Sequence, residues 1–177
     1  MIDMWHEANV TIRLENGAKP EERAIIRIIN EAAFGGTEEA DLVDKLRAEG
    51  HALVSVVAEL ENQIVGHIMF SRMWIETADG PVPAVALAPV AVLPECQHRN
   101  IGGRLIRAGL DMLRDRGETI VILVGHPDYY PRFGFSNEKA QALESPFPRD
   151  AFMALELTSG SLAGVRGKVK YPAPFGI

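Results

Sequence analysis

Apolar and polar positions change period several times along the chain, and each change marks an element. Val10, Ile12 and Leu14 alternate with Thr11 and Arg13, which predicts a strand over Asn9–Leu14 closed by Asn16-Gly17. From Pro20 the period becomes helical: Ile25, Ile28, Ile29 and Ala32 form a stripe expected to face a core. Pro20 suits the first helical position, and Glu21 and Glu22 suit the first turn. Gly35-Gly36 breaks this helix, and Thr37 is placed to cap a second one whose Ala40, Val43 and Leu46 point inward. Two apolar runs, Ala52–Leu60 and Gln63–Trp74, bracket Glu61-Asn62 and read as a hairpin.

After the turn at Ala78-Asp79-Gly80, Val82–Val92 reads as a central strand, most apolar from Val85 to Val92 between Pro83 and Pro94. A polar turn, Glu95–Asn100, gives way to Ile101-Gly102-Gly103, where a long amphipathic helix opens. Ile101, Leu105, Ala108, Met112 and Leu113 take one face, Arg104, Arg107, Asp111 and Arg114 the other, and Gly117 is placed to end it. Thr119–Val124 is a continuous apolar run, a buried strand expected to lie parallel to the central one. Gly125-His126-Pro127-Asp128 interrupts the pattern, and Tyr129–Phe133 has room only for a short helix. Phe152, Ala154, Leu155 and Leu157 suggest a late strand, Glu144–Pro148 a loop, and Gly167–Tyr171 a last edge strand. Without repeats, low-complexity segments or a linker, residues 1–177 read as one α/β domain.

Composition narrows the class. At 47% hydrophobic and 24% charged, the 177 residues match an ordinary soluble domain with one core. A net charge of −6 disfavours nucleic acid as a partner and is compatible with a cationic amine. The single cysteine, Cys96, rules out an internal disulfide and suggests a reducing compartment. The N-terminal residues look neither like a signal peptide nor like an anchor, and no apolar run reaches ~20 residues. A cytoplasmic protein with no membrane partner and no metal is expected, acting as a monomer or homodimer.

The turn before Ile101 carries the first candidate chemistry. A helix N-terminus has backbone N–H groups without helical acceptors and a partial positive charge, and small residues there let an anion approach. Gly102 and Gly103 fit a phosphate site, and equally a helix packed closely on a strand. Neither Gly-x-Gly-x-x-Gly nor a glycine loop followed by Lys-Ser or Lys-Thr occurs in this stretch.

The same residues resemble a family. Gln97-His98-Arg99-Asn100-Ile101-Gly102 is similar to the Arg/Gln-x-x-Gly-x-Gly/Ala signature of the GNAT superfamily of acetyl-CoA-dependent N-acetyltransferases. Val90–Glu95 resembles its lead-in strand and Pro-Glu turn, and Tyr129-Tyr130-Pro131-Arg132-Phe133-Gly134-Phe135 resembles its Tyr-x-x-x-Gly-Phe element. The doubled tyrosine with Arg-Phe-Gly-Phe is similar to a branch of small stand-alone acetyltransferases. The signature's first glycine is Asn100 here, one of the few residue types that tolerate a left-handed backbone.

The resemblance implies a mixed, mostly antiparallel sheet with helices on both faces and two central parallel strands that splay apart. It implies that backbone of Val90, Ala91 and Val92 pairs with the pantetheine arm of acetyl-CoA, while His98, Arg99, Asn100, Ile101, Gly102 and Gly103 wrap its pyrophosphate. An amine, on a small molecule or a protein, would attack the thioester directly. Tyr130 occupies the place of the proton-donating tyrosine, with Tyr129 next in register; a phenol near 10 can protonate a thiolate near 8.5. Superfamily members often use a strand glutamate as base, but Val82–Val92 holds no carboxylate. His126 is then the candidate base, since an imidazole titrates in the physiological range, and a water chain is the other route. His67 reads as a core histidine, Glu95 as turn decoration and Cys96 as a packed thiol. A non-catalytic acetyl-CoA-binding sensor or interaction module is the second function class, and acetylation of charged transfer RNA is disfavoured by the acidic balance.

Overall fold

The computed structural model describes residues 9–177. Among these residues eight strands and three α-helices follow one another in the order β1 (Val10–Leu14), α1 (Pro20–Phe34), α2 (Glu38–Ala48), β2 (Ala52–Leu60), β3 (Gln63–Thr77), β4 (Gly80–Val92), α3 (Ile101–Asp115), β5 (Ile120–Val124), β6 (Leu143–Glu144), β7 (Phe152–Glu156) and β8 (Gly167–Lys170). The fold is α/β, with a mixed and mostly antiparallel sheet ordered β1-β2-β3-β4-β5-β7 and β8 joined to β3 and β6. The chain forms two compact units, the first from the chain up to Met69 with Pro89–Gly109, the second from Phe70–Ala88 with Leu110–Ile177.

In the first unit, β1 and β2 pair antiparallel from Val10↔Leu60 to Leu14↔Val56. Glu61 and Asn62 have φ of 51° and 64°, the left-handed pair a two-residue hairpin turn requires. Pro20 begins α1 as expected, and Gly35 ends it at φ 78°. The inward face of α1 differs from the expected stripe. Glu22, Ile26, Ile29 and Asn30 are buried, whereas Ile25 is 37% and Ile28 60% exposed. The buried polar residues are partnered: the Glu22 carboxylate accepts from Arg13 and from the Asn16 N–H (2.6 Å), and Asn30 Nδ2 donates to the Ile26 carbonyl (3.0 Å). In α2, Ala40, Val43 and Leu46 are buried as expected. Thr37 precedes it without a side-chain cap, its carbonyl accepting from the Asp41 N–H (2.8 Å).

The second unit packs Met73, Ile75, Ala84, Ile120, Ile122, Phe152 and Val169 into one core. Here β5 pairs antiparallel with β7 along its whole length, Ile120↔Glu156 to Val124↔Phe152. The parallel pairing of β4 with β5 is registered at Val85↔Val121 and Ala86↔Ile122, and β5 runs on to Val124 beyond it. β4 begins at Gly80, ahead of the expected start, and so includes Pro81 and Pro83. β8 is not an edge: it pairs antiparallel with β3 (Trp74↔Lys170 to Thr77↔Gly167) and parallel with β6. The two-residue β6 falls at the start of a segment that reads in sequence as a loop.

Along α3, Ile101, Leu105 and Leu113 are buried as expected. Ile106 and Leu110 join them, while Ala108 and Met112 are only half-buried. Gly117 follows the helix at φ 84°. No helix among the described residues is long and apolar enough to cross a membrane, and no group of three His, Cys, Asp or Glu among them is placed to hold a metal.

Candidate active site

The turn between β4 and α3 is built by short-range bonds. The Leu93 N–H donates to the Val65 carbonyl (2.9 Å), and the Cys96 N–H returns to Leu93 (2.8 Å) in the turn Pro94–Cys96. Gln97 folds back so that Nε2 donates to the Val92 carbonyl (3.1 Å). The side chain that looks in sequence like part of an anion signature therefore staples the turn to its strand. His98 and Asn100 both lie in the left-handed region, at φ 66° and 59°. Asn100 thus adopts the conformation for which glycine is the default.

The α3 ladder starts here. Arg104 N–H donates to the Asn100 carbonyl (3.1 Å), so the N–H groups of Ile101, Gly102 and Gly103 precede the first helical rung. Ile101 is buried, and Gly66 of β3 explains how its turn sits so low. A Cβ on Gly66 would come within 3.1 Å of Leu105 Cδ1 and 3.2 Å of Ile101 Cγ2. His98, Arg99 and Asn100 are exposed, Val90 and Val92 half-buried, and Ala91 buried. Arg104 is exposed but anchored, its Nη2 donating to the Val10 carbonyl (3.1 Å). Cys96 is buried, and burial pushes its thiol up, as does Glu95, against the pull of Arg99. A thiol held in that form is a packing group, as expected from sequence.

Tyr130 belongs to the second unit. It opens a 3₁₀ turn, Tyr130–Phe133, that Gly134 ends at φ 100°. The His126 carbonyl accepts from the backbone N–H of Tyr129 (3.1 Å) and Tyr130 (3.4 Å). The Tyr130 ring lies edge-on to Tyr129 (centroids 5.1 Å) and to the buried Phe135 (6.2 Å). Burial raises its phenol above the ordinary value, with a smaller contribution from Tyr129. Arg132 caps the cluster from outside: its guanidinium stands 4.4 Å from the Tyr129 ring centroid, and Nε donates to the Tyr129 carbonyl (2.8 Å). The His126 side chain is exposed, and Val124 just before it is 39% exposed.

Three residues that build these features have other roles or none in the sequence reading, Gln97 as part of the anion signature, Gly125 as an interruption and Gly66 unremarked. Gln97 and Gly66 shape the helix opening, and Gly125 carries the Tyr130 ring. Their only local signals are a polar residue in a turn, a glycine inside a strand pattern and a glycine after one.

The described residues thus join an α/β sheet, a left-handed turn leading into a glycine-opened helix, and a Tyr-x-x-x-Gly-Phe turn. The acetyltransferase (GNAT) domain family matches residues 15–137, and this chain belongs to it. It is 40% identical over 131 residues to the uncharacterized N-acetyltransferase YjhQ of Escherichia coli strain K12, covering 71% of this chain and 72% of that protein. Among solved structures it is similar to the E. coli GNAT family N-acetyltransferase YhbS in complex with CoA, at TM-score 0.87 and 29% identity over 96% of this chain and 93% of that one. It is also similar to a Brucella melitensis GNAT family acetyltransferase in complex with acetyl-CoA, at TM-score 0.78 and 35% identity over 94% and 98% of the two chains.

Proposed function

We propose that residues 1–177 act as one domain that transfers an acetyl group from acetyl-CoA to a primary amine, on a small molecule or a protein, by direct attack with both substrates bound. One observation carries this reading: left-handed His98 and Asn100 lead into three backbone N–H groups that precede the helical ladder. Such a turn is an anion cradle made of backbone, which fits a diphosphate. The relatives bound to CoA and acetyl-CoA support acetyl-CoA as the molecule held.

In this reading His98, Arg99, Asn100, Ile101, Gly102 and Gly103 hold the diphosphate, and backbone of Val90, Ala91 and Val92 holds the pantetheine amides. When bound, acetyl-CoA supplies a thioester carbon to the amine. The amine nitrogen bonds to that carbon, the carbon–sulfur bond breaks, and the Tyr130 hydroxyl gives its proton to the departing sulfur. His126 takes the proton that the amine loses, directly or through water. A phenol is protonated at neutral pH, and burial moves Tyr130 further in that direction.

One fact favours a second reading, an acetyl-CoA-binding module without catalysis: β4 carries no carboxylate to serve as base. Two assays separate the readings. Coenzyme A and desulfo-coenzyme A should both raise the melting temperature, because they bind the native state and the thiol is not the anchor. Thiol release from acetyl-CoA should then appear with at least one member of a panel of small amines and amino-terminal peptides. Stabilisation without thiol release from any amine supports the module. No thermal shift with either ligand at ~mM concentration overturns the cofactor site.

A further inference from the structure

Gly125 follows β5, and the fold fixes it on both sides of its side-chain position. Its N–H donates to the Ala151 carbonyl (2.9 Å), so its backbone is tied to the start of β7. The Tyr130 backbone is tied as well, through the His126 carbonyl. Between these two anchors lies the Tyr130 ring. A Cβ on Gly125 would overlap ring atom Cε2, stand 2.8 Å from Cδ2 and 3.2 Å from Cζ. Gly125 is not among the residues at positive φ, so its backbone makes no demand for glycine. The demand comes from the ring alone.

The ring has little freedom to move aside. Tyr129 meets it edge-on at 5.1 Å, Phe135 at 6.2 Å, and Phe133 is tilted against it at 6.4 Å. Phe135 is buried and Gly134 lies against Leu155, where a Cβ would stand 2.8 Å from Cδ1. We propose that Gly125 is a positioning residue for catalysis: its bare α-carbon is the floor on which the Tyr130 ring lies, and it thereby sets where the Tyr130 hydroxyl stands. The inference rests on the reading of Tyr130 as proton donor. A proton transfer tolerates little displacement, since misplacing a reacting group by about 1 Å costs on the order of 10²-fold in rate.

The test is Gly125→Ala, alone and combined with Tyr130→Phe, with two readouts. In steady-state kinetics Gly125→Ala should lower kcat by about 10²-fold and leave KM for acetyl-CoA unchanged. In the Tyr130→Phe background, where the donor is already gone, it should lower kcat by less than about threefold, because the two residues act as one unit. The second readout is an alkaline phenol titration in a Tyr129→Phe parent, where Tyr130 and Tyr171 are the remaining phenols. Gly125→Ala should move the Tyr130 titration down toward an ordinary phenol as the ring shifts toward water, while Tyr171, held by burial at about 12, stays in place. An unmoved phenol titration overturns the inference, as does an equal loss of kcat in both backgrounds. Full turnover in Tyr130→Phe overturns the proton-donor reading instead, while the phenol titration still reports the contact. Loss of stability separates the same way: Gly125→Ala should lower the melting temperature beside a ring at position 130 and not in Tyr130→Ala. A drop of equal size in Tyr130→Ala counts against the contact.

Discussion

His67 Nε2 lies 2.9 Å from the Ser55 hydroxyl in the interior of the first unit. On the other side of the ring, Asn30 Nδ2 faces Nδ1 at 3.5 Å. Ser55 and Asn30 thus flank the two ring nitrogens of His67. Complete burial, and secondarily the charge of Arg47, lower the imidazole from 6.5 to about 3. His67 is therefore neutral in the native state and an unlikely base for any reaction near neutral pH.

That depression sets a pH dependence of stability. Below pH 6.5 the unfolded chain takes up a proton that native His67 refuses until about 3. Stability should be flat with respect to this group above 6.5 and fall through that window, by up to about 1.4 kcal/mol per pH unit. His67→Gln keeps polar atoms but does not titrate. Urea unfolding from neutral pH into the acid range should show a shallower decline for the variant, and parallel curves would rule out His67 as the cause.

The Asn100 turn makes its own prediction. At φ 59°, Asn100→Gly relieves strain and should bind coenzyme A as well as or better than the parent. Asn100→Val places a β-branched residue in a region it resists and should weaken binding strongly. Equal affinities for the three proteins by calorimetry would show that the turn is not at the cofactor.

Tyr130→Phe keeps the ring over Gly125 and removes only the hydroxyl. Acetyl-CoA binding should barely change while kcat falls by ~10²–10⁴-fold, the range for general-acid catalysis. The parent's rate should also decline at alkaline pH as the phenol, raised by burial, finally ionises. Tyr129→Phe is the internal control. A variant with parental turnover and the same pH–rate profile would falsify the assignment.

Asn137 holds the loop before β7. Its Nδ2 lies within hydrogen-bonding distance of the carbonyls of Arg149 (3.0 Å), Asp150 (2.8 Å) and Phe152 (3.0 Å), so its two N–H groups are shared among three acceptors. Asn137→Ala should cost about 0.5–1.5 kcal/mol by chemical denaturation. Asn137→Asp should cost more at neutral pH, because it sets a carboxylate against three carbonyl oxygens, and should recover part of the loss when acid protonates it. An Asp variant as stable as the Ala variant at neutral pH would mean that the amide is not what pins the loop.

Some of the fold was legible because its causes are local. Glu61-Asn62 turns the hairpin, Pro20 and Gly35 bound α1, and Gly117 ends α3, each through the φ and ψ preferences of the residues at that point. The opening of α3 belongs with these, since Asn100 tolerates the left-handed backbone it adopts and the glycines follow it directly. The Tyr129–Phe135 element was also readable, as a short aromatic turn closed by Gly134.

The tertiary structure decided what depends on partners far along the chain. Apolar spacing pointed to Ile25 and Ile28 as the buried face of α1, yet Glu22 and Asn30 are buried instead, one bonded to Arg13 of β1 and the other facing His67 of β3, partners that helical periodicity does not report. β8 reads in sequence as an edge, but its neighbours, β3 and β6, come from separate stretches of chain; Gly167 bears a trace of the β3 pairing, since a Cβ there would clash with the Glu76 carbonyl, yet that contact is made only by folding. Gly125 looked like an interruption after β5. Its requirement for glycine arises from a ring five residues away, folded back over it by the 3₁₀ turn, and a contact made by folding is absent from the local pattern that periodicity and turn chemistry can report.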